Sequence, residues 1–187
     1  MIEFSKGGHK APDVMALNPR GQVPTFVDDD GTIVNESQAA VLYLDARYKG
    51  QGATLVPDAC VGPVLQRVFE AGNLHSAMRD CIYPKMRNIA VPDAEMATRL
   101  DTLRGELARW DAYVAASPSD WLASPDFSAA DVTVGPLLLA IQRFGATLDA
   151  TPALKAYAGR VAARPSVAAA WPPHWKEGEG PGYLKEV

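Results

Sequence analysis

The stretch Asn18–Asp45, N-P-R-G-Q-V-P-T-F-V-D-D-D-G-T-I-V-N-E-S-Q-A-A-V-L-Y-L-D, decides the fold, because turn residues, two short strands and a helix start follow one another without a gap. Asn18-Pro19-Arg20-Gly21 is a breaker cluster. Thr25 to Val27 is β-prone, Asp28 to Gly31 supplies the polar loop of a hairpin, and Thr32 to Val34 is its return strand. A helix then starts near Glu36 or Ser37. Its apolar positions Ala40, Val41, Leu44 and Tyr48 recur at helical spacing, which predicts one face turned to a core and leaves Gln38, Asp45, Arg47 and Lys49 in water.

Two places in this unit carry chemistry. Pro24 has no ladder donor, so Val23-Pro24 suits either the first residue of a strand or a cis turn that exposes the Val23 backbone. Glu36-Ser37 stands at a helix start, where free N–H groups and the positive end of the dipole favour a carboxylate ligand and Ser37 adds a hydroxyl donor. The pair fits an amino-acid end-group, with Glu36 accepting from the ammonium while Ser37 and the helix start hold the carboxylate. The same two residues also read as an ordinary serine cap and a first-turn acid.

At 187 residues and 48% apolar, the chain is long enough for one domain or two small ones with a core. A net charge of −4, without any long basic run, gives no general attraction to nucleic acid or acidic membranes. The longest apolar stretch, Val132 to Ile141, is interrupted by Thr133, Gly135 and Pro136 and falls far short of the ~20 residues of a membrane span. Glu3, Lys6, His9 and Lys10 leave no apolar run for a secretory signal near the N-terminus, so a cytoplasmic location is expected. Cys60 and Cys81 lack motif spacing and read as reduced thiols, Cys81 as a small core residue. His9, His75 and His174 are too scattered for a zinc set, and no metal is expected.

Lys49 to Thr54 is turn-rich and marks a linker. Helix resumes near Pro63 and runs to about Asn88, with Pro84 predicting a kink or break. From Asp93 to Ala115, Met96, Leu100, Leu103, Leu107, Trp110 and Val114 form a narrow stripe made to pack on another helix. Phe127-Ser128-Ala129-Ala130-Asp131 is a capping box with Phe127 placed to staple onto Val132, opening a buried helix through Val134, Leu137, Leu138, Ile141 and Phe144. Thr151 or Thr147 starts the next helix, with Leu154, Tyr157 and Val161 on its apolar face. A last short helix begins at Arg164-Pro165-Ser166. Lys176 to Val187, rich in Gly and Glu, is predicted to be loose.

The run N-P-x-G-Q-V-P, the hairpin, and E-S opening an apolar helix that ends Y-L-D together resemble the second half of the glutathione-binding domain of soluble glutathione S-transferases. Gly8-His9-Lys10 resembles the G-E-H-K segment of phi- and rho-like members. The F-S-x-A-D box at 127–131 resembles the one that opens their central helix, and Trp171-Pro172-Pro173-His174-Trp175 resembles the tail of rho-like members. The resemblance implies an α/β plus all-α architecture: a truncated thioredoxin-like domain at 1–49, a linker at 50–61 and an all-helical domain at 62–187. It also implies a cytoplasmic homodimer that conjugates reduced glutathione to small hydrophobic electrophiles in detoxification, without a metal. Gln22 and the backbone at Val23-Pro24 would hold the glycyl and cysteinyl parts of glutathione. Glu36 and Ser37 would take the γ-glutamyl end, and His9 and Lys10 the glycyl carboxylate. Met78, Ile82, Tyr83 and Met86 are candidates for the electrophile pocket, with core packing as their other reading.

Met1 to Ser5 reads as the end of a strand, so the strand-helix-strand opening of such domains is nearly absent. The family residue that hydrogen-bonds the glutathione sulfur would lie before Met1, which leaves no catalytic residue assigned and Ser5, His9 and Cys81 as substitutes. Two readings follow: an enzyme written without its start, or a catalytically weak glutathione-transferase-like module for ligand binding or assembly.

Overall fold

Turn chemistry sets the first part of the chain. In the computed structural model, which describes residues 6–176 and 178–187, a 3-10 turn at Gly8–Lys10 leads into the short helix α1, Pro12–Leu17, with proline in its first turn, where its missing N–H costs nothing. The strand end expected at Met1 to Ser5 lies outside the described residues. Strands β1, Thr25–Val27, and β2, Ile33–Asn35, pair antiparallel with Thr25 opposite Asn35 and Val27 opposite Ile33. The return strand begins one residue later than the sequence predicts. Thr32 belongs to the turn, its N–H donating to the Asp30 carboxylate at 2.9 Å.

Helix α2, Ser37–Arg47, follows directly. Its expected apolar face is not buried: no α2 residue is, and Leu44 is exposed. Two strands of three residues, the whole sheet among the described residues, offer too little surface to cover eleven residues of helix. Polar contacts fasten α2 instead. Asp28, in the hairpin turn and 7% exposed, accepts from the Tyr43 hydroxyl at 2.6 Å and the Tyr48 hydroxyl at 2.5 Å. Asp45 was expected in water but is half-buried, accepting from the Leu55 N–H at 2.5 Å and the Val56 N–H at 3.1 Å. The carboxylate thus ties down the chain that leaves α2.

The chain divides into two compact units, Met1–Val56 and Pro57–Val187. The second is helical: α3, Val61–Arg87; α4, Asp93–Ala115; α5, Ala129–Arg143; α6, Pro152–Ala162; and α7, Pro165–Ala170. Pro84 does not end α3, which continues to Arg87 and closes on Asn88 at φ 53°, a left-handed cap that asparagine tolerates. The predicted stripe on α4 contributes Leu100, Leu103, Leu107 and Trp110 to the core, with Met96 and Val114 half-buried at its ends. Also buried are Val64, Val68 and Leu74 of α3, Val134, Leu138 and Ile141 of α5, and Leu154, Tyr157 and Val161 of α6; α3 packs on α4 and α5, and α6 on α4 and α5.

The tail is not loose. Leu184 is fully buried and its N–H donates to the Phe144 carbonyl at 2.7 Å. Lys85 donates to the Tyr183 carbonyl and Arg104 to the Glu186 carbonyl, both at 2.6 Å, and Arg143 donates to the Gly178 carbonyl. At Gly180 any Cβ would collide with the Arg143 carbonyl oxygen. Composition misleads here because the tail is held mainly through its own carbonyls, which every residue supplies. Among the described residues, no helix is long and apolar enough to cross a membrane.

Candidate functional site

The hairpin register brings both halves of the candidate site to one end. Thr25 faces Asn35, so Pro24, just before β1, and Glu36, just after β2, both adjoin the same end of the hairpin. Val23-Pro24 is a cis peptide, the second of the two alternatives left open by the sequence. Val23 is half-buried, and its N–H and carbonyl have no hydrogen-bond partner among the described residues. Gln22 is exposed, and its side chain has no hydrogen bond among the described residues.

At the head of α2 the structure corrects the ordinary-cap reading. Ser37 is the first residue of the helix, and Glu36 occupies the cap position with φ 74° and ψ 125°. No side chain caps the helix there. A positive φ on a residue with a Cβ costs about 1–3 kcal/mol and persists where its surroundings impose it. Glu36 and Ser37 are both exposed, and their side chains form no hydrogen bond among the described residues. A carboxylate acceptor, a hydroxyl and the first free N–H groups of an eleven-residue helix are therefore all open at this end.

His9 and Lys10 lie on the 3-10 turn Gly8–Lys10, His9 half-buried and Lys10 exposed. The Lys10 ammonium donates to the Arg20 carbonyl at 2.7 Å, so it stands against the loop that carries Gln22. Gly21 makes this approach geometrically feasible. It has φ 56°, and a Cβ there would lie 2.6 Å from Lys10 Cδ and 2.7 Å from Met15 Sδ. Sequence reasoning passed over Asn18, which is 3% exposed. It counted only as a breaker, although asparagine's habit of bonding its own backbone two residues on was the available signal.

The four electrophile-pocket candidates do not form one open surface within α3. Met78 and Ile82 are buried in the helical core, whereas Tyr83 and Met86 are exposed. A half-open apolar cavity of about 400 Å³ lies elsewhere in the helical unit, lined by Phe127, Pro136, Leu139, Val161, Trp171 and Trp175 among others, and it includes none of the four. Cys81 is fully buried and burial pushes its thiol up, which removes it from the substitutes for thiol activation. Ser5 lies outside the described residues.

The capping box is as the sequence reads it, and more. Asp131 accepts from the Ser128 N–H and hydroxyl, both at 2.8 Å, from the Leu122 N–H at 3.0 Å and from the Tyr157 hydroxyl at 2.8 Å. Ser128 and Asp131 are fully buried. Every acceptor position of this carboxylate is used by its own chain, so the box builds the fold and offers nothing to a ligand.

A thioredoxin-like hairpin-and-helix domain with a cis-proline bend, followed by an all-helical domain on a buried capping box, defines a glutathione-transferase fold. The model of the glutathione S-transferase N-terminal domain matches residues 2–47 and that of the C-terminal domain residues 74–171. Glutathione S-transferase A of Pleuronectes platessa is 38% identical over 195 residues, covering 100% of this chain and 85% of its own. The crystal structure of a glutathione S-transferase from the Antarctic clam Laternula elliptica superposes with a TM-score of 0.87 at 35% identity, covering 99% of this chain and 84% of that one. A sphingomonad glutathione S-transferase, solved in complex with glutathione, gives 0.72 at 30% identity over 86% of this chain and 77% of its own. The chain belongs to the glutathione S-transferase family.

Proposed function

We propose that this chain binds reduced glutathione at the Gln22-Val23-Pro24 bend and the head of α2, and conjugates it to small hydrophobic electrophiles in detoxification. The observation that carries the reading is the set of polar groups at one end of the hairpin that have no partner among the described residues: the Val23 backbone, the Glu36 carboxylate, the Ser37 hydroxyl and the start of α2. Glu36 accepts from the γ-glutamyl ammonium, while Ser37 and the helix start take its carboxylate. Gln22 and Val23 hold the glycyl and cysteinyl portions, with His9 and Lys10 toward the glycyl carboxylate. In this reading residues 1–49 are the glutathione-binding part, 50–61 the connection and 62–187 the helical part. Of the four electrophile candidates, Tyr83 and Met86 have the exposed surface such a role needs.

A thiol with a pKa of ~8.5 is only a few per cent ionised at neutral pH. Fixing glutathione at both ends holds its sulfur for attack on an electrophilic carbon. A carbon–sulfur bond forms, the leaving group departs with its electron pair, and the thiol proton goes to solvent. The protein acts in the cytoplasm as a homodimer; exposed apolar side chains such as Val27, Ile33 and Phe69 support the pairing. Conjugation of a chloronitrobenzene, followed by absorbance, tests the proposal. A glutathione-dependent rate above the uncatalysed one is expected, with the KM for glutathione raised about tenfold in Glu36→Gln, the worth of one hydrogen bond to a charged group. A folded sample with no rate above background overturns it.

A further inference from the structure

At 3% exposure, Asn18 is an unusually buried asparagine for a loop. All its polar groups are used by neighbouring chain. Its N–H donates to the Val14 carbonyl and its own carbonyl accepts from the Gly21 N–H, both at 2.8 Å. The side-chain oxygen accepts from the Arg20 N–H at 3.1 Å, and the side-chain amide donates to the Gln22 carbonyl at 2.9 Å. The Thr25 hydroxyl gives that same carbonyl a second, longer bond of 3.4 Å.

The direction of the Gln22 carbonyl matters because of the peptide that follows. The cis bond in this segment is Val23-Pro24, so the Gln22–Val23 peptide is trans and planar, and its C=O and N–H point to opposite sides. Drawing the Gln22 oxygen toward buried Asn18 therefore turns the Val23 N–H away from the loop interior. That N–H has no partner among the described residues.

We propose that Asn18 is a positioning residue: its side-chain amide fixes the Gln22–Val23 peptide so that the Val23 N–H is presented to the peptide-like main chain of the thiol substrate. The inference rests on the glutathione reading above. Asn18 touches no substrate and acts through the Val23 amide.

The test uses Asn18→Asp and Asn18→Ala in the full chain, with calorimetric titration of reduced glutathione and urea unfolding on the same samples. Aspartate keeps an oxygen for the Arg20 N–H but cannot donate to the Gln22 carbonyl, so it should bind no better than alanine. Both variants should lose about tenfold in affinity, as expected for one hydrogen bond. Thr25→Val, which removes only the longer bond, should lose less. A lower urea midpoint with unchanged affinity in the folded protein overturns the proposal, and so does wild-type affinity in Asn18→Asp. Where the Asn18 variants do not fold, Thr25→Val decides: weakened binding supports the inference and unchanged binding overturns it. A wild-type chain that binds no glutathione sinks the functional reading instead. The inference is then tested by amide exchange at Val23 without ligand, which should change in Asn18→Asp; an unchanged rate overturns it.

Discussion

Two helix starts in this molecule each use a serine and a carboxylate, to opposite ends. At α5, Ser128 and Asp131 are fully buried and the carboxylate takes four hydrogen bonds from its own chain. At α2, Glu36 and Ser37 are exposed, uncapped and partnerless among the described residues, and Glu36 sits at a positive φ. A saturated start can only organise the fold. An open one at a strained residue leaves its acceptor and donors unused by the described part of the fold. The units around them repeat the contrast: the helical one has a continuous apolar core, while in the first the helix α2 buries no residue and is fastened by Asp28 and Asp45.

The comparison breaks most visibly at Asp131. Replacing it with alanine strands four buried donors and should cost about 3–5 kcal/mol in urea unfolding. Tyr157→Phe, which removes one of the four, should cost about 1.5–3 kcal/mol. If Asp131→Ala unfolds at the wild-type midpoint, the box is not what holds α5. Leu184→Ala should cost about 2–5 kcal/mol by opening a cavity under the docked tail, whereas a loose tail would give no change.

The smallest effect is expected from the first unit as pH falls. Hydrogen bonds from Tyr43 and then Tyr48 hold the Asp28 carboxyl below its ordinary value. A depressed carboxyl contributes stability that is present above the unfolded value of about 4 and fades as pH drops through the folded one. Thermal melts of wild type and Asp28→Asn should therefore converge below about pH 4 and separate above it. Tyr48 is the counterpart at high pH, pushed up to about 12 chiefly by its bond to Asp28. Its contribution is complete below the unfolded value of about 10 and is lost as pH rises toward 12. Melts of Tyr48→Phe that run parallel to wild type at every pH would contradict the Tyr48 assignment, and melts of Asp28→Asn that do so would contradict the Asp28 one.

The two starts also differ in how far the sequence discloses them. Ser128-Asp131 is legible because a capping box is a local pattern, with acceptor and donor three residues apart. The hairpin is legible for the same reason, through its turn residues and β-prone runs. The φ of Glu36 is not, since nothing in E-S distinguishes a cap from a first-turn residue until β2 fixes the direction of entry. Asn18 is half legible: its bond from the Arg20 N–H is the local turn habit of asparagine, whereas the bond to the Gln22 carbonyl goes to a backbone group that carries no sequence signal. Burial departs from the sequence pattern on both sides: Leu44 has the right spacing, but the sheet among the described residues is too small to cover it, and Leu184, one of few apolar residues in a Gly-rich tail, is fully buried.

The measurement that bears most directly on the open helix start is calorimetric titration of reduced glutathione into the folded chain and into Ser37→Ala at neutral pH. The account predicts saturable binding to the wild type and a loss of about 1–2 kcal/mol in the variant, the worth of a hydroxyl donating to a carboxylate, with no change in urea midpoint. No heat from the folded wild type at millimolar glutathione, or equal affinity in the two proteins, contradicts it.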